Sequence, residues 1–168
     1  MTRLLRLSAL CLAAGLVLPP QALAHTAAPS AETRPIALAG AAADAAGVVD
    51  AFHAALKAGD TGKAASLMAA GVLVFEAGGA ETSKAAYAAE HLPADAAFEA
   101  TALETILRRS GAAASDSAWI ATEGRVQARA GEKVTDRLTT ETMILARTAG
   151  GWRIVHVHWS SRANPPPR

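Results

Sequence analysis

The spacing of apolar residues in this chain changes beyond Pro93, and that change restricts the folds open to it. Before it, Val48, Val49, Phe52, Ala55 and Leu56 recur at helical spacing, and Gly59 closes the helix. Asp60 is placed to cap a second helix, which runs through Ala64, Leu67 and Met68 and ends at Gly71. Residues 72–76 read as a short apolar strand and Gly78-Gly79 as a turn. Ser83 caps a third helix, from Lys84 to about His91, which Pro93 terminates. Beyond it, residues 97–110, 116–130, 133–148 and 151–161 are strand candidates, separated by Gly111-Ala112, Ala130-Gly131 and Ala149-Gly150-Gly151. Three helices in front of long strands predict an α+β domain, with the helices packed on one face of a curved, mainly antiparallel sheet. A sheet bent around helices makes a cone with a pocket at its open end.

The ends of the chain set its organisation. Arg3 and Arg6 precede an apolar run over residues 7–18, followed by Pro19-Pro20 and Ala22-Leu23-Ala24, the three-part layout of a secretory signal with cleavage after Ala24. The apolar run is too short to span a bilayer comfortably. Leu10, just before Cys11, is bulkier than a lipid-attachment site tolerates. Residues 25–44, rich in Ala, Pro, Ser and Thr, read as a disordered linker, residues 45–162 as the folded domain and residues 163–168 as a disordered tail. Loss of residues 1–24 removes two arginines and no acid from 16 basic and 15 acidic side chains, leaving 14 against 15. Nothing in that balance suits nucleic acid. The only cysteine, Cys11, leaves with the signal, so the exported protein relies on its apolar core. The expected location is the periplasm or the exterior, with no membrane contact after cleavage.

The last strand carries the most suggestive pair. Regular alternation puts Trp152, Ile154, His156 and His158 on one face and Arg153, Val155, Val157 and Trp159 on the other. His156 and His158 then project side by side, either into the pocket or across an interface. A two-residue spacing on a strand also supplies two metal ligands, which Glu76, His91 or His53 would complete. His25 would become the N-terminal residue after cleavage, where its amine and imidazole can chelate copper together; the alternative is an ordinary residue on a linker.

Phe52-His53-Ala54-Ala55-Leu56-Lys57-Ala58-Gly59-Asp60, and Thr140-Glu141-Thr142-Met143-Ile144-Leu145-Ala146-Arg147 leading into Trp152 to Ser161, carry a family resemblance. With the order helix, helix, short strand, helix, four long strands, residues 46–162 resemble the nuclear-transport-factor-2-like fold, including ketosteroid isomerase and the SnoaL-like polyketide cyclases. The second motif also looks like the end of the calcium/calmodulin-dependent kinase association domain, a non-catalytic assembly module. One scaffold thus hosts isomerases, cyclases, dehydratases, binding proteins and oligomerisation modules. The resemblance places Glu76, at the end of the first strand, where ketosteroid isomerases hold their general base, and lays the third helix across the cone mouth. It offers no match to the tyrosine and protonated acid that the isomerases keep deep in the cone.

A carboxylate in an apolar pocket has its pKa raised towards neutrality, as abstraction of a carbon-bound proton requires; the alternative for Glu76 is a solvated turn. Tyr87 and His91, four apart, share a helix face and can join Glu76. Otherwise Tyr87 fills the core and His91 sits at the helix end near its negative dipole. Glu123, Arg125, Gln127 and Arg129 share a strand face and could ladder with Glu141, as a solvated or interface surface or as a polar-ligand pocket. The leading expectation is an exported domain, homodimeric through its sheet, that binds a small organic molecule near Glu76, Tyr87, His91, His53, His156 and Glu141. Catalysis, if present, would be isomerisation, cyclisation or hydration by Glu76 or His91 without an organic cofactor. The alternatives are a periplasmic copper or zinc protein using His156, His158 and His91, and a non-catalytic homo-oligomerisation module.

Overall fold

A stripe of buried side chains one helical turn apart, Ala45, Val49, Phe52 and Leu56, turns the first helix, α1 (Ala41–Lys57), onto a sheet. The computed structural model describes residues 38–130 and 133–165. The expected signal, the linker as far as residue 37, His25 and residues 166–168 lie outside the described residues. Residues 41–44, expected in the linker, form the first turn of α1.

The chain continues through α2 (Thr61–Ser66), β1 (Met68–Glu76), β2 (Gly79–Glu81), α3 (Lys84–Glu90) and α4 (Leu92–Glu99). Four long strands follow: β3 (Leu103–Ala113), β4 (Ser117–Ala130), β5 (Lys133–Thr148) and β6 (Gly151–Ala163). The expected caps form, with Asp60 accepting from the Lys63 amide and Ser83 from the Ala86 amide. The six strands lie in the order β2-β1-β6-β5-β4-β3. Every neighbouring pair is antiparallel except β1 and β6, which run parallel. The described domain is thus α+β with a mixed sheet. α1 lies over β3, β4 and β6, and α3 over β1. The core between the layers includes Phe52, Leu56, Ile120, Met143, Leu145 and Ile154, each contributing roughly 1.5–3 kcal/mol by burial.

Four local expectations are corrected. The second helix does not reach Gly71: the Leu67 carbonyl accepts from the Ile154 amide and Met68 pairs with Ile154, so β6 draws this segment into the sheet. The hairpin after Glu76 turns on Ala77 (φ 50°) and Gly78 (φ 85°), while Gly79 already pairs with Glu76. Pro93 begins a fourth helix instead of ending the third, because a proline in the first turn lacks only an amide that has no intrahelical partner. Residues 97–99, expected in a strand, therefore belong to α4, whose Leu92 and Ala96 are buried. The tail begins later than expected: Ala163 pairs with Arg137, and the Asn164 amide donates to the Asp136 carbonyl at 3.0 Å.

A fifth correction changes the meaning of β6. Leu145 pairs with Ile154 but Ile144 pairs with His156, which leaves Val155 as an extra residue in a β-bulge. Side-chain parity reverses at that point. Trp152 and Ile154 face the helices before the bulge, and Val157 and Trp159 face them after it. His156 and His158 therefore lie on the outer face of the sheet, opposite Trp152 and Ile154.

Close approach rather than turn geometry requires glycine at position 111. A Cβ there would sit 2.7 Å from both the Trp119 carbonyl oxygen and Ile120 Cδ1 across the β3–β4 pair. Replacing Gly111 with alanine is expected to cost about 1–3 kcal/mol, read as a lower urea midpoint; an unchanged midpoint would show that the strands part freely here.

Candidate functional site

Side chains from α1, α4 and all the strands except β2 line a cavity of about 320 Å³, at the small end of the range for small-molecule sites. Leu56, Phe98, Val126 and Trp159 give it apolar and aromatic walls. Five carboxylates also line it, those of Glu76, Asp95, Glu99, Glu104 and Glu141, together with the cationic side chain of Arg137 and the imidazole of His53.

One polar node joins three elements. His53 follows Phe52 on the buried edge of α1, and Glu141 faces Trp159 across the β5–β6 pair. His53 Nε2 lies 2.7 Å from Glu141 Oε2, and Trp159 Nε1 donates to the same oxygen at 2.8 Å. Glu141 is only 8% exposed. Burial opposes a charge on His53, but the hydrogen bond and negative charge of Glu141 outweigh it and raise its pKa to about 9. Burial likewise opposes the charge on Glu141, and the hydrogen bond and charge of His53, aided by Trp159, lower its pKa overall. The two directions agree on an imidazolium–carboxylate pair. Two atoms of the node, His53 Nδ1 and Glu141 Oε1, are buried without a partner among the described residues.

A second cluster lies where β1 ends. Tyr87 is fully buried and donates its hydroxyl to Asp95 Oδ2 at 2.6 Å. Burial raises the Tyr87 pKa further still above its ordinary value, so the phenol keeps its proton. Asp95 is raised by burial, against the Tyr87 hydrogen bond. Glu76 stands exposed at the end of β1, where partial desolvation and then the charge of Asp95 raise its pKa, with His91 opposing. His91 caps the end of α3 and is paired with Glu81, whose hydrogen bond raises its pKa.

Of the residues expected at a site, Glu76, His53 and Glu141 line the cavity, and Tyr87 and His91 share a smaller adjoining hollow with Glu76. Tyr87 also fills the core, so its two readings coincide. Glu141 does not ladder with Glu123 and Arg125: it faces inwards, while Glu123 pairs with Arg108 and Arg125 with Asp136. His156 and His158 do not meet Glu76 and His91. His156 Nδ1 lies 3.1 Å from the Leu73 carbonyl oxygen, and both rings meet the edge or face of Phe75 on the outer side. Among the described residues no group of three or more His, Cys, Asp or Glu is placed to hold a metal ion. Sequence reasoning missed Asp95, Glu99, Glu104 and Trp159. The first two were hidden by reading Pro93 as a stop, and Trp159 by the bulge.

The pair has a pH signature. The share of stability from His53, whose folded pKa is raised, is complete below its ordinary 6.5 and is lost as pH rises through about 9. The share from Glu141, whose folded pKa is lowered, is present above its ordinary 4.5 and lost on acidification. Stability in urea is expected to fall by up to about 2–3 kcal/mol between pH about 6 and about 9.5, and His53→Gln to remove that decline. An identical decline in the variant would show that the pair is not charged.

No curated protein matches the chain. A protein from Shewanella frigidimarina, provisionally named a ketosteroid isomerase, is 34% identical over 72% of this chain and 98% of its own, with a TM-score of 0.67. A protein from Xanthomonas campestris, provisionally named a calcium/calmodulin-dependent protein kinase II association domain, is 22% identical over 81% and 98%, with a TM-score of 0.65. The hub of the same kinase from S. rosetta is 21% identical over 75% and 100%, at 0.60. The last two likenesses speak for the fold alone. Residues 46–164 match the SnoaL-like domain family, and with the four-helix, six-stranded architecture and the 34% identical relative, this chain belongs to that family within the nuclear-transport-factor-2-like fold.

Proposed function

We propose that the domain binds a small organic molecule in the cavity and moves a proton on it, in a cofactor-independent isomerisation or a related cyclisation or dehydration. The observation that carries this reading is the pairing, in one cavity, of a carboxylate whose pKa partial desolvation has raised with an imidazolium whose second nitrogen is unpartnered. Glu76 is the base. Its raised pKa brings its basicity closer to what removing an activated C–H proton demands at neutral pH. His53 is the electrophile: Glu141, itself held by Trp159, takes its Nε2–H, so Nδ1–H is left to donate to the oxygen on which negative charge develops. Glu76 then returns the proton to a second carbon. This supplies the deep donor that the sequence comparison with ketosteroid isomerases lacked. His91 acts on Glu76 through charge from the adjoining hollow and is a positioning residue.

The test uses a small β,γ-unsaturated ketone, with the conjugated product followed by ultraviolet absorbance. Glu76→Gln is expected to lower kcat/KM by about 10²-fold or more, and His53→Phe by a similar factor. Full activity in Glu76→Gln would overturn the assignment.

A second observation favours assembly through the sheet as well. Leu73, His156, Ile144 and Trp119 form one rung across β1, β6, β5 and β4 on the outer face, and the three apolar members are exposed. With Phe75 beside them, they form an apolar stripe suited to a second copy of the chain. Light scattering is expected to show a homodimer that Ile144→Lys/Trp119→Lys converts to a monomer; a monomeric wild type would remove this reading.

A further inference from the structure

We propose that His156 and His158 form half of a site for a divalent, zinc-type metal ion, and that a second copy of the chain supplies the other half. The inference rests on the reading of the outer sheet face as a contact between two copies. The bulge at Val155 sets both histidines on that face, two residues apart on β6, with ring centres 6.4 Å apart. Two imidazoles on one tetrahedral zinc ion have ring centres about 5 Å apart, given Zn–N bonds of about 2.0–2.1 Å. His158 is exposed, so a turn of its ring closes the difference. Phe75 flanks both rings from β1, its centre 5.0 Å from that of His156 and 6.3 Å from that of His158, which leaves them free to turn towards the open face.

His156 is already oriented as a ligand. Its Nδ1 lies 3.1 Å from the Leu73 carbonyl oxygen. A carbonyl only accepts, so Nδ1 carries the hydrogen and the neutral ring keeps its lone pair on Nε2. Imidazoles that bind metals are held in this way, one nitrogen donating to a carbonyl or carboxylate while the other faces the ion. One chain supplies too few donors, since among the described residues no group of three or more His, Cys, Asp or Glu is placed to hold an ion. A two-fold axis passing over the pair completes the set, because residues near such an axis meet their own copies and two imidazoles become four. Four nitrogen donors fill a tetrahedral coordination sphere. Stacked sheets lie about 10 Å apart, a span that histidines reaching from both faces can share.

The surroundings of the pair fit the same partner. Leu73, Ile144 and Trp119 share the rung of His156, and Phe75, Thr142 and Ala121 share that of His158. None of these six is charged. A face that meets itself doubles any net charge it carries, so an uncharged patch suits a second copy better than a strongly charged partner. Further along the same face the charges are paired within the chain, Arg108 with Glu123 and Arg125 with Asp136. Leu73, Phe75, Ile144 and Trp119, each 38–44% exposed, would close around the ion and exclude water from it.

The experiment takes the full chain without an affinity tag, strips it with EDTA and follows association by sedimentation velocity as Zn2+ is added, with bound zinc counted by equilibrium dialysis. The expected result is a dimer in EDTA, one zinc ion taken up for every two chains, and a dimer at least about tenfold tighter with zinc. His156→Ala/His158→Ala is expected to abolish both the uptake and the tightening while keeping the metal-free dimer, which also reports that the variant folds. Equal uptake by that variant, uptake of one ion per chain without tightening, or no uptake by the wild type overturns the metal site; a dimer in EDTA then leaves the interface reading standing. A wild type that stays monomeric with and without zinc removes both.

Discussion

A single buried carboxylate ties the two layers of the domain together. Glu141 on β5 receives His53 from α1 and Trp159 from β6 on one oxygen, so the helix, the central strand and the last strand meet at one charge. Such a group is costly to bury and costlier to leave half-paired: removing one member of a buried ion pair typically costs about 3–5 kcal/mol. Packing also holds α1 to the sheet, but it does not fix the angle of the imidazole. The pair does, and around it the ring of Trp159 stacks near Phe52 at 6.4 Å and contacts Tyr87 at a similar distance. The floor of the cavity is therefore rigid where its chemistry is concentrated.

The rim is built on different terms. Glu76 comes directly before Ala77, a non-glycine residue at φ 50°, a conformation that costs on the order of 1 kcal/mol. The tight hairpin it allows ends β1 just as the chain reaches the cavity. Across it, α4 brings Asp95 and Glu99 on successive turns of one short helix. His91 opposes the charge of Glu76 and Asp95, and His53 and Lys57 that of Glu99.

Much of this was legible in the residues. The α1 stripe, the Asp60 and Ser83 caps and the long strands separated by glycine turns gave the layers, because each is a local signal with a local cause. Glu76 was legible because a carboxylate closing an apolar strand has few places to go. What was not legible depended on partners distant in sequence. Leu67 and Met68 read as helix until β6 competes for their backbone. Pro93 reads as a stop unless the chain restarts immediately, which the burial of Leu92 and Ala96 rewards. The bulge at Val155 leaves no mark in composition, since valine suits either face. That one extra residue moved His156 and His158 out of the cone and brought Trp159 in.

The parallel pairing of β1 with β6 has a bearing on how the molecule is assembled in time. Glu76 and Trp159 are partners across that pair, yet α3, α4 and the four strands β2 to β5 are translated between them. Contacts so far apart in the chain form late and slowly, because a long loop must close before any of them gains stability. Until the final strand arrives, β1 has only the short β2 beside it, and His53 has no tryptophan near its carboxylate. The nascent domain therefore has a sheet with an open slot and an acid without its full set of donors. The cavity is thus the last part of the described domain to be completed, and β6 is its keystone.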